Sequence, residues 1–148
     1  MAIYDYHFVT HWKIKGSPEQ IFNILKEGQH YDQWWKPAYV KTLKLNDNKI
    51  EALVRAKLPY TLTFVTELIS EIPNKEIKIK STGELEGSGL WQLEPDGVYT
   101  KVNFFWDVQA SKPLIRWLSL ILKPLFKWNH DWVMKTGECC LQKEVEKA

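Results

Sequence analysis

The sequence predicts an α+β fold: a curved antiparallel sheet of about seven strands wrapped around one long C-terminal helix, with two short helices between strands 1 and 2. Three observations predict it. Tyr4–Lys15 alternates apolar and polar side chains over its whole length. Between Val40 and Ala110, further alternating runs follow one another across short turn clusters. Lys112–Ala148 then changes to a helical period and keeps it to the end of the chain.

In the first strand Tyr6, Phe8, Thr10, Trp12 and Ile14 point one way, opposite Asp5, His7, Val9, His11 and Lys13. Such a strand buries one face. Gly16 ends it. Ser17-Pro18-Glu19-Gln20 carries three helix-start signals: an N-cap serine, proline at the first helical position and glutamine where a capping box needs it. That helix turns Ile21, Phe22, Ile24 and Leu25 inward and stops near Gly28. A second short helical stretch, His30–Trp35, is closed by Lys36-Pro37, because proline disfavours helical geometry in the residue before it.

Six strands come next. Val40–Leu45 turns through Asn46-Asp47-Asn48 into Lys49–Leu58, whose Ile50, Ala52, Val54, Ala56 and Leu58 share a face. Tyr60–Ile72 places Tyr60, Leu62, Phe64, Thr66 and Leu68 on one side. Pro73-Asn74-Lys75 leads to Glu76–Thr82. The strand through Gly83–Gly89 and Leu90–Leu93 is glycine-rich, the mark of a bend or of a close backbone approach. After the turn Glu94-Pro95-Asp96-Gly97, Val98–Ala110 sets Thr100, Val102, Phe104, Trp106 and Val108 against Tyr99, Lys101, Asn103, Asp107 and Gln109. Short turns between consecutive strands mean an antiparallel meander.

Ser111 is the N-cap expected for the closing helix. With Lys112 as origin and about 100° per residue, Trp117, Trp128, Ile121, Cys139, Trp132, Leu114, Leu125 and Leu118 fall in an arc from roughly 140° to 240°, which Ile115, Leu122, Phe126, Val133 and Cys140 extend to roughly 320°. Lys112, Arg116, Ser119, Lys123, Lys127 and His130 lie within roughly 80° on the other side, as a basic ridge. His130 is therefore expected at the surface. Pro124 removes a backbone hydrogen bond and predicts a bend near Lys123, dividing the helix into a candidate movable gate, Pro113–Lys123, and an anchor, Leu125–Val145. A curved sheet and a straight rod do not mate everywhere, so a cavity is expected between them.

Composition narrows the function. A chain of 148 residues reads as one domain able to bury a core. A net charge of +2 is too small to imply nucleic acid by itself, and 14% aromatics with eight Trp suits apolar pockets. Two adjacent cysteines, Cys139 and Cys140, cannot build a disulfide framework, so a reducing cytoplasm is the expected compartment. The N-terminus does not read as a signal peptide, and no apolar run reaches membrane-spanning length. No metal site, cofactor loop or serine nucleophile elbow is evident. His7 and His11 share a face but stand roughly 13 Å apart, too far for one metal ion.

The order of elements and several local signatures resemble the START-like, or SRPBCC, superfamily with its helix-grip fold. These are Ser17–Phe22, Tyr31-Asp32-Gln33-Trp34-Trp35, Gly83–Trp91, Phe105-Trp106-Asp107-Val108, Trp128–Met134 and Gly137-Glu138. The closing helix is similar to that of a bacterial subgroup labelled polyketide cyclase/dehydrase-like. The resemblance implies a hollow fold. Its members include lipid carriers, hormone and flavonoid binders, aromatase/cyclases and quinone-binding proteins.

Residues expected to face the cavity are Trp12, Phe64, Trp91, Phe104, Trp106, Trp117, Ile121, Leu125 and Trp128. The polar candidates Arg55, Glu67, Glu84, Asn103 and Asp107 fall mostly opposite the apolar strand faces, which weighs against an acid–base enzyme. The resulting expectation is a non-enzymatic carrier or sensor of a small hydrophobic ligand: a lipid, quinone or polyketide-like aromatic. The alternatives are a polyketide cyclase/dehydratase and an interaction module. In the last, Lys112, Arg116, Lys123 and Lys127 would meet an anionic membrane surface.

Overall fold

A computed structural model describes the backbone of residues 5–55, 61–110 and 113–147, and the side chains of residues 6–55, 61–109 and 127–147. Strand β1 (Asp5–Lys15) leads to α1 (Pro18–Leu25), a 3-10 turn (Gly28–His30) and α2 (Tyr31–Trp34). Then come β2 (Tyr39–Lys44), β3 (Lys49–Arg55), β4 (Thr61–Ile72), β5 (Glu76–Gly83), β6 (Leu85–Asp96) and β7 (Tyr99–Ala110). The chain closes on α3 (Pro113–Glu146). The strands form one antiparallel sheet in the order β1-β7-β6-β5-β4-β3-β2, so the first strand returns beside the last and the rest meander. This is the helix-grip arrangement of a curled half-barrel and a closing helix.

Local chemistry explains the entry to α1. Gln20 N–H donates to Ser17 Oγ at 3.2 Å, and Ser17 N–H donates to Gln20 Oε1 at 3.1 Å. The box satisfies two amides that the first helical turn leaves free. Ser17→Ala is expected to cost about 1 kcal/mol, read as a lower urea midpoint at unchanged slope. An unchanged midpoint would mean the cap is irrelevant to stability.

Strand alternation puts Tyr6, Trp12 and Ile14 of β1 inside, at 5%, 4% and 0% exposure, and leaves His7, Val9 and His11 outside. The glycine-rich β6 does meet its neighbour closely. Gly87 has φ +155°, and a Cβ there would lie 2.0 Å from the Asp107 carbonyl oxygen of β7. Only glycine lets the two backbones approach so near.

The second half of α3 lies against β1, α1 and α2. Its buried residues are Asn129, Val133, Met134, Gly137, Leu141 and Val145. This corrects the face expected from the helical wheel: Trp128 is 46% exposed and Cys139 is exposed. On the same wheel Met134, Gly137, Leu141 and Val145 lie between roughly 340° and 60°, beyond the expected arc, while Val133 lies near its edge. The arc was weighted by large apolar residues between Leu114 and Leu125, whereas packing selects the small Gly137. There a Cβ would come 2.4 Å from Trp35 Cζ2 and 2.9 Å from Trp12 Cζ2. Trp35 is anchored in turn, its Nε1–H donating to the Val133 carbonyl at 3.1 Å. Trp12 meets Trp35 edge-on at 5.7 Å and Trp34 stacks on Trp35 at 5.3 Å. Each such indole contributes roughly 5 kcal/mol of transfer free energy before ordering costs.

Side chains of α3 also bond the free backbone edge of β1 at Lys13 and Lys15. Lys13 N–H donates to Glu138 Oε2 at 3.1 Å, Lys15 N–H to Gln142 Oε1 at 2.8 Å, and Gln142 Nε2–H to the Lys15 carbonyl at 3.1 Å. Pro124 sits within the single helix Pro113–Glu146. The expected gate Pro113–Lys123 concerns side chains outside the described set.

Candidate functional site

A cavity of about 400 Å³ lies between the concave face of the sheet and α3. Alternate residues of each strand floor it. They include Ala52 and Val54 of β3, Leu62, Phe64, Thr66 and Leu68 of β4, and Ile77 and Ile79 of β5. Leu85 and Trp91 of β6, Phe104, Trp106 and Val108 of β7, and Tyr6 and Phe8 of β1 complete that surface. Asn129, His130, Val133 and Met134 roof it, and Tyr31, Trp35 and Tyr39 close one flank. Among the described residues, the contacts of α3 with the sheet fall chiefly on β1.

Of the charged lining residues, Lys26, Lys44, Asp47 and Glu71 are exposed and mark the opening, while Glu27 is partly buried and accepts a hydrogen bond from Gln29 Nε2–H. Thr42 holds this rim together. Its hydroxyl donates to the Gln29 carbonyl at 2.6 Å, and its N–H donates to Asp32 Oδ2 at 3.3 Å. Deeper in, the wall is aromatic: Trp91 stacks on Phe104 at 4.1 Å and Phe104 on Trp106 at 5.6 Å. Tyr31 donates its hydroxyl hydrogen to the Leu25 carbonyl. Burial pushes the Tyr31 and Tyr39 phenols well above their ordinary pKa, so both are protonated at neutral pH.

His130 is the main departure from the expected site. It faces the cavity and its ring stacks on Phe8 at 4.0 Å with 14° between planes. Nε2 is fully buried and has no hydrogen-bond partner among the described residues. Burial lowers its pKa from 6.5 to about 4; the nearby Asp131 carboxylate offsets part of that and Lys127 adds to it. The surface placement read from the wheel failed for the reason already given: the buried face of this half runs through Val133, Gly137 and Leu141, and His130 shares it.

Sequence comparison adds a family. The family model described as "Polyketide cyclase / dehydrase and lipid transport" matches residues 14–131. The chain belongs to this family. None of the curated proteins matches it. Among solved structures, a START superfamily protein from Mycobacterium smegmatis superposes with TM-score 0.77 at 16% identity, over 95% of this chain and 97% of that one. A conserved protein from Geobacillus kaustophilus gives TM-score 0.77 at 13% identity, with 96% of each chain covered. An aromatase/cyclase from a Streptomyces species gives 0.72 at 13% identity, over 97% and 94%. At these identities the likeness concerns the fold.

Of the residues expected at the family's cavity, Phe64, Trp91, Phe104 and Trp106 lie in its wall. Trp12 lies behind the wall, against Trp91 at 5.4 Å and Trp35. Trp128 is half exposed and is not among the lining residues. Trp117, Ile121 and Leu125 fall outside the described side chains, as do Lys112, Arg116 and Lys123. Lys127 is exposed and pairs with Asp131 at 2.8 Å. Tyr6, Phe8, Val133 and Met134 line the cavity as well and were not among the residues expected there. The usable signal for the helix residues was the four-residue spacing Val133–Gly137–Leu141–Val145.

None of Arg55, Glu67, Glu84, Asn103 or Asp107 is among the lining residues. On the outer sheet face His7 Nδ1 lies 2.9 Å from Asp107 Oδ1, and His11 meets Asn103. No group of three or more potential metal ligands occurs among the described residues. No helix among them is long and apolar enough to cross a membrane.

Proposed function

We propose that the protein binds a small hydrophobic ligand, of lipid, quinone or polyketide-like aromatic type, and acts as a carrier or sensor without covalent chemistry. One observation carries this reading. The wall of the cavity is mainly aromatic and aliphatic, four of its five charged residues are exposed at the opening, and its buried phenols and imidazole are uncharged at neutral pH. Its volume falls in the range of small-molecule sites, about 300–1,000 Å³.

The second reading is a polyketide cyclase/dehydratase, favoured by the family description and by the presence of His130 in the wall. The lowered basicity of His130 weighs against it. A general base works best with a pKa near the operating pH. An imidazole held near 4 is about three units too weak a base at pH 7, even with the Asp131 carboxylate raising it. For the interaction-module reading, Lys127 is exposed but already pairs with Asp131 at 2.8 Å.

Native mass spectrometry of the purified protein, followed by organic extraction, tests the carrier reading. A co-purifying apolar molecule is the expected result. Thr66→Trp, which fills the cavity from β4, is expected to abolish that adduct and to weaken binding of the probe 2-methylnaphthalene at least about tenfold, a loss of about 1.4 kcal/mol of contact. Full probe binding by a folded Thr66→Trp variant would place the ligand elsewhere and end this proposal.

A further inference from the structure

We infer that His130 is a hydrogen-bonding pole of the cavity, and that the ligand is an uncharged apolar molecule with a hydroxyl group, phenolic or aliphatic, seated against Nε2. The inference rests on the carrier reading and deepens it by naming the ligand's chemistry.

Two geometric facts carry it. The ring is fixed in the roof by its parallel stack on Phe8, so Nε2 has a set position rather than a swinging one. That nitrogen is buried without a partner among the described residues. An unsatisfied buried polar atom costs about 1–3 kcal/mol, and native structures retain few. Phenylalanine at this position would stack on Phe8 equally well without that cost. A ligand atom that bonds Nε2 removes the penalty, so the histidine is suited to a bound state.

The neighbours select the group. Tyr6 and Phe8 of β1, Val108 of β7, and Val133 and Met134 of α3 line the cavity with it, and none carries a charge at neutral pH. Asp131 and Lys127, the charges that act on the ring, belong to its own helix; they are exposed and paired to each other. A carboxylate or phosphate would meet a neutral imidazole in a desolvated site, an unfavourable pairing. A hydroxyl both donates and accepts, so it satisfies Nε2 in either tautomer of the neutral ring.

The placement also orients the ligand. β1 and β2 are opposite edges of the sheet, so the His130–Phe8 stack lies across the cavity from Lys44 and Asp47 at the opening. The hydroxyl therefore sits at the β1 side and the apolar body spans the aromatic wall.

Two probes of nearly equal shape test this: 2-naphthol and 2-methylnaphthalene. Their dissociation constants are measured by fluorescence for the wild type, His130→Phe and His130→Gln. The preference for 2-naphthol, taken as the ratio of the two constants, is expected to fall about tenfold in His130→Phe and to survive in His130→Gln, which keeps a polar end group. An unchanged ratio in His130→Phe, with 2-methylnaphthalene still bound, overturns the hydrogen-bonding role and leaves the carrier reading standing. Failure of the wild type to bind 2-methylnaphthalene overturns both. Should the variants not fold, ¹⁵N NMR of the wild-type imidazole decides. A His130 Nε2 resonance displaced by 2-naphthol and not by 2-methylnaphthalene supports the inference; equal responses refute it.

Discussion

Gly137→Ala is expected to destabilise the protein by about 2–3 kcal/mol, although alanine is the better helix former by about 1 kcal/mol. The new methyl carbon would stand 2.4 Å from Trp35 Cζ2 and 2.6 Å from Cε2. Those atoms cannot retreat cheaply. The Trp35 indole is held by its bond to the Val133 carbonyl and is wedged between Trp34 and Trp12. Either the indole gives up its anchor or α3 lifts off β1. At about 2–4 °C per kcal/mol for a chain of this size, the melting temperature should drop by roughly 5–10 °C. A double-mutant cycle with Trp35→Phe isolates the clash: the smaller ring should recover more than about 1 kcal/mol of the Gly137→Ala loss. Simple additivity of the two variants would show that the close approach is not what limits position 137.

The second large effect concerns pH. His130 has a folded pKa of about 4 against 6.5 for the free side chain, because the fold buries the neutral ring. Between those values the unfolded chain holds a proton that the folded chain refuses. Stability from this group is therefore complete above about pH 6.5 and is lost as pH falls toward 4. The whole window is worth about 3 kcal/mol, of which about 2 kcal/mol should disappear between pH 7 and pH 5. Urea unfolding of wild type and His130→Gln at both pH values checks it, with the difference between the proteins removing contributions they share. Parallel loss of stability in the two proteins would show that His130 is free to protonate in the fold, and the placement of its ring would need revision.

The strands and the start of α1 were legible in the sequence because their signals are local. Alternation in Tyr6–Ile14 depends only on the two-residue repeat of a pleated strand, and Ser17 and Gln20 recognise each other across one turn. The paired face of α3 was not legible, because the helix offers two candidate stripes. One is rich in tryptophan, with Trp128 and Trp132; the other is built on Gly137 with Val133, Leu141 and Val145. Apolar content favours the first. Close packing against Trp12 and Trp35 selects the second, and the residues that decide this are about a hundred positions away. The site divides in the same manner. Phe64, Trp91, Phe104 and Trp106 follow from strand alternation, whereas His130 depends on the rotation of one helix and inherited the error made there.

The contacts of Glu138 and Gln142 with the backbone of β1 have a consequence for self-association. An open sheet has two margins, and each can template a strand from another molecule. Here the closing helix imitates a neighbouring strand along one margin, presenting a carboxylate and an amide where another backbone would otherwise dock. At the other margin, β2, Val40 and Leu43 are exposed, each followed by a lysine, Lys41 and Lys44. Two lysines on a six-residue strand oppose stacking by their charge, so strand pairing is hindered by a plug at the Lys13–Lys15 end of one border and by repulsion at the other.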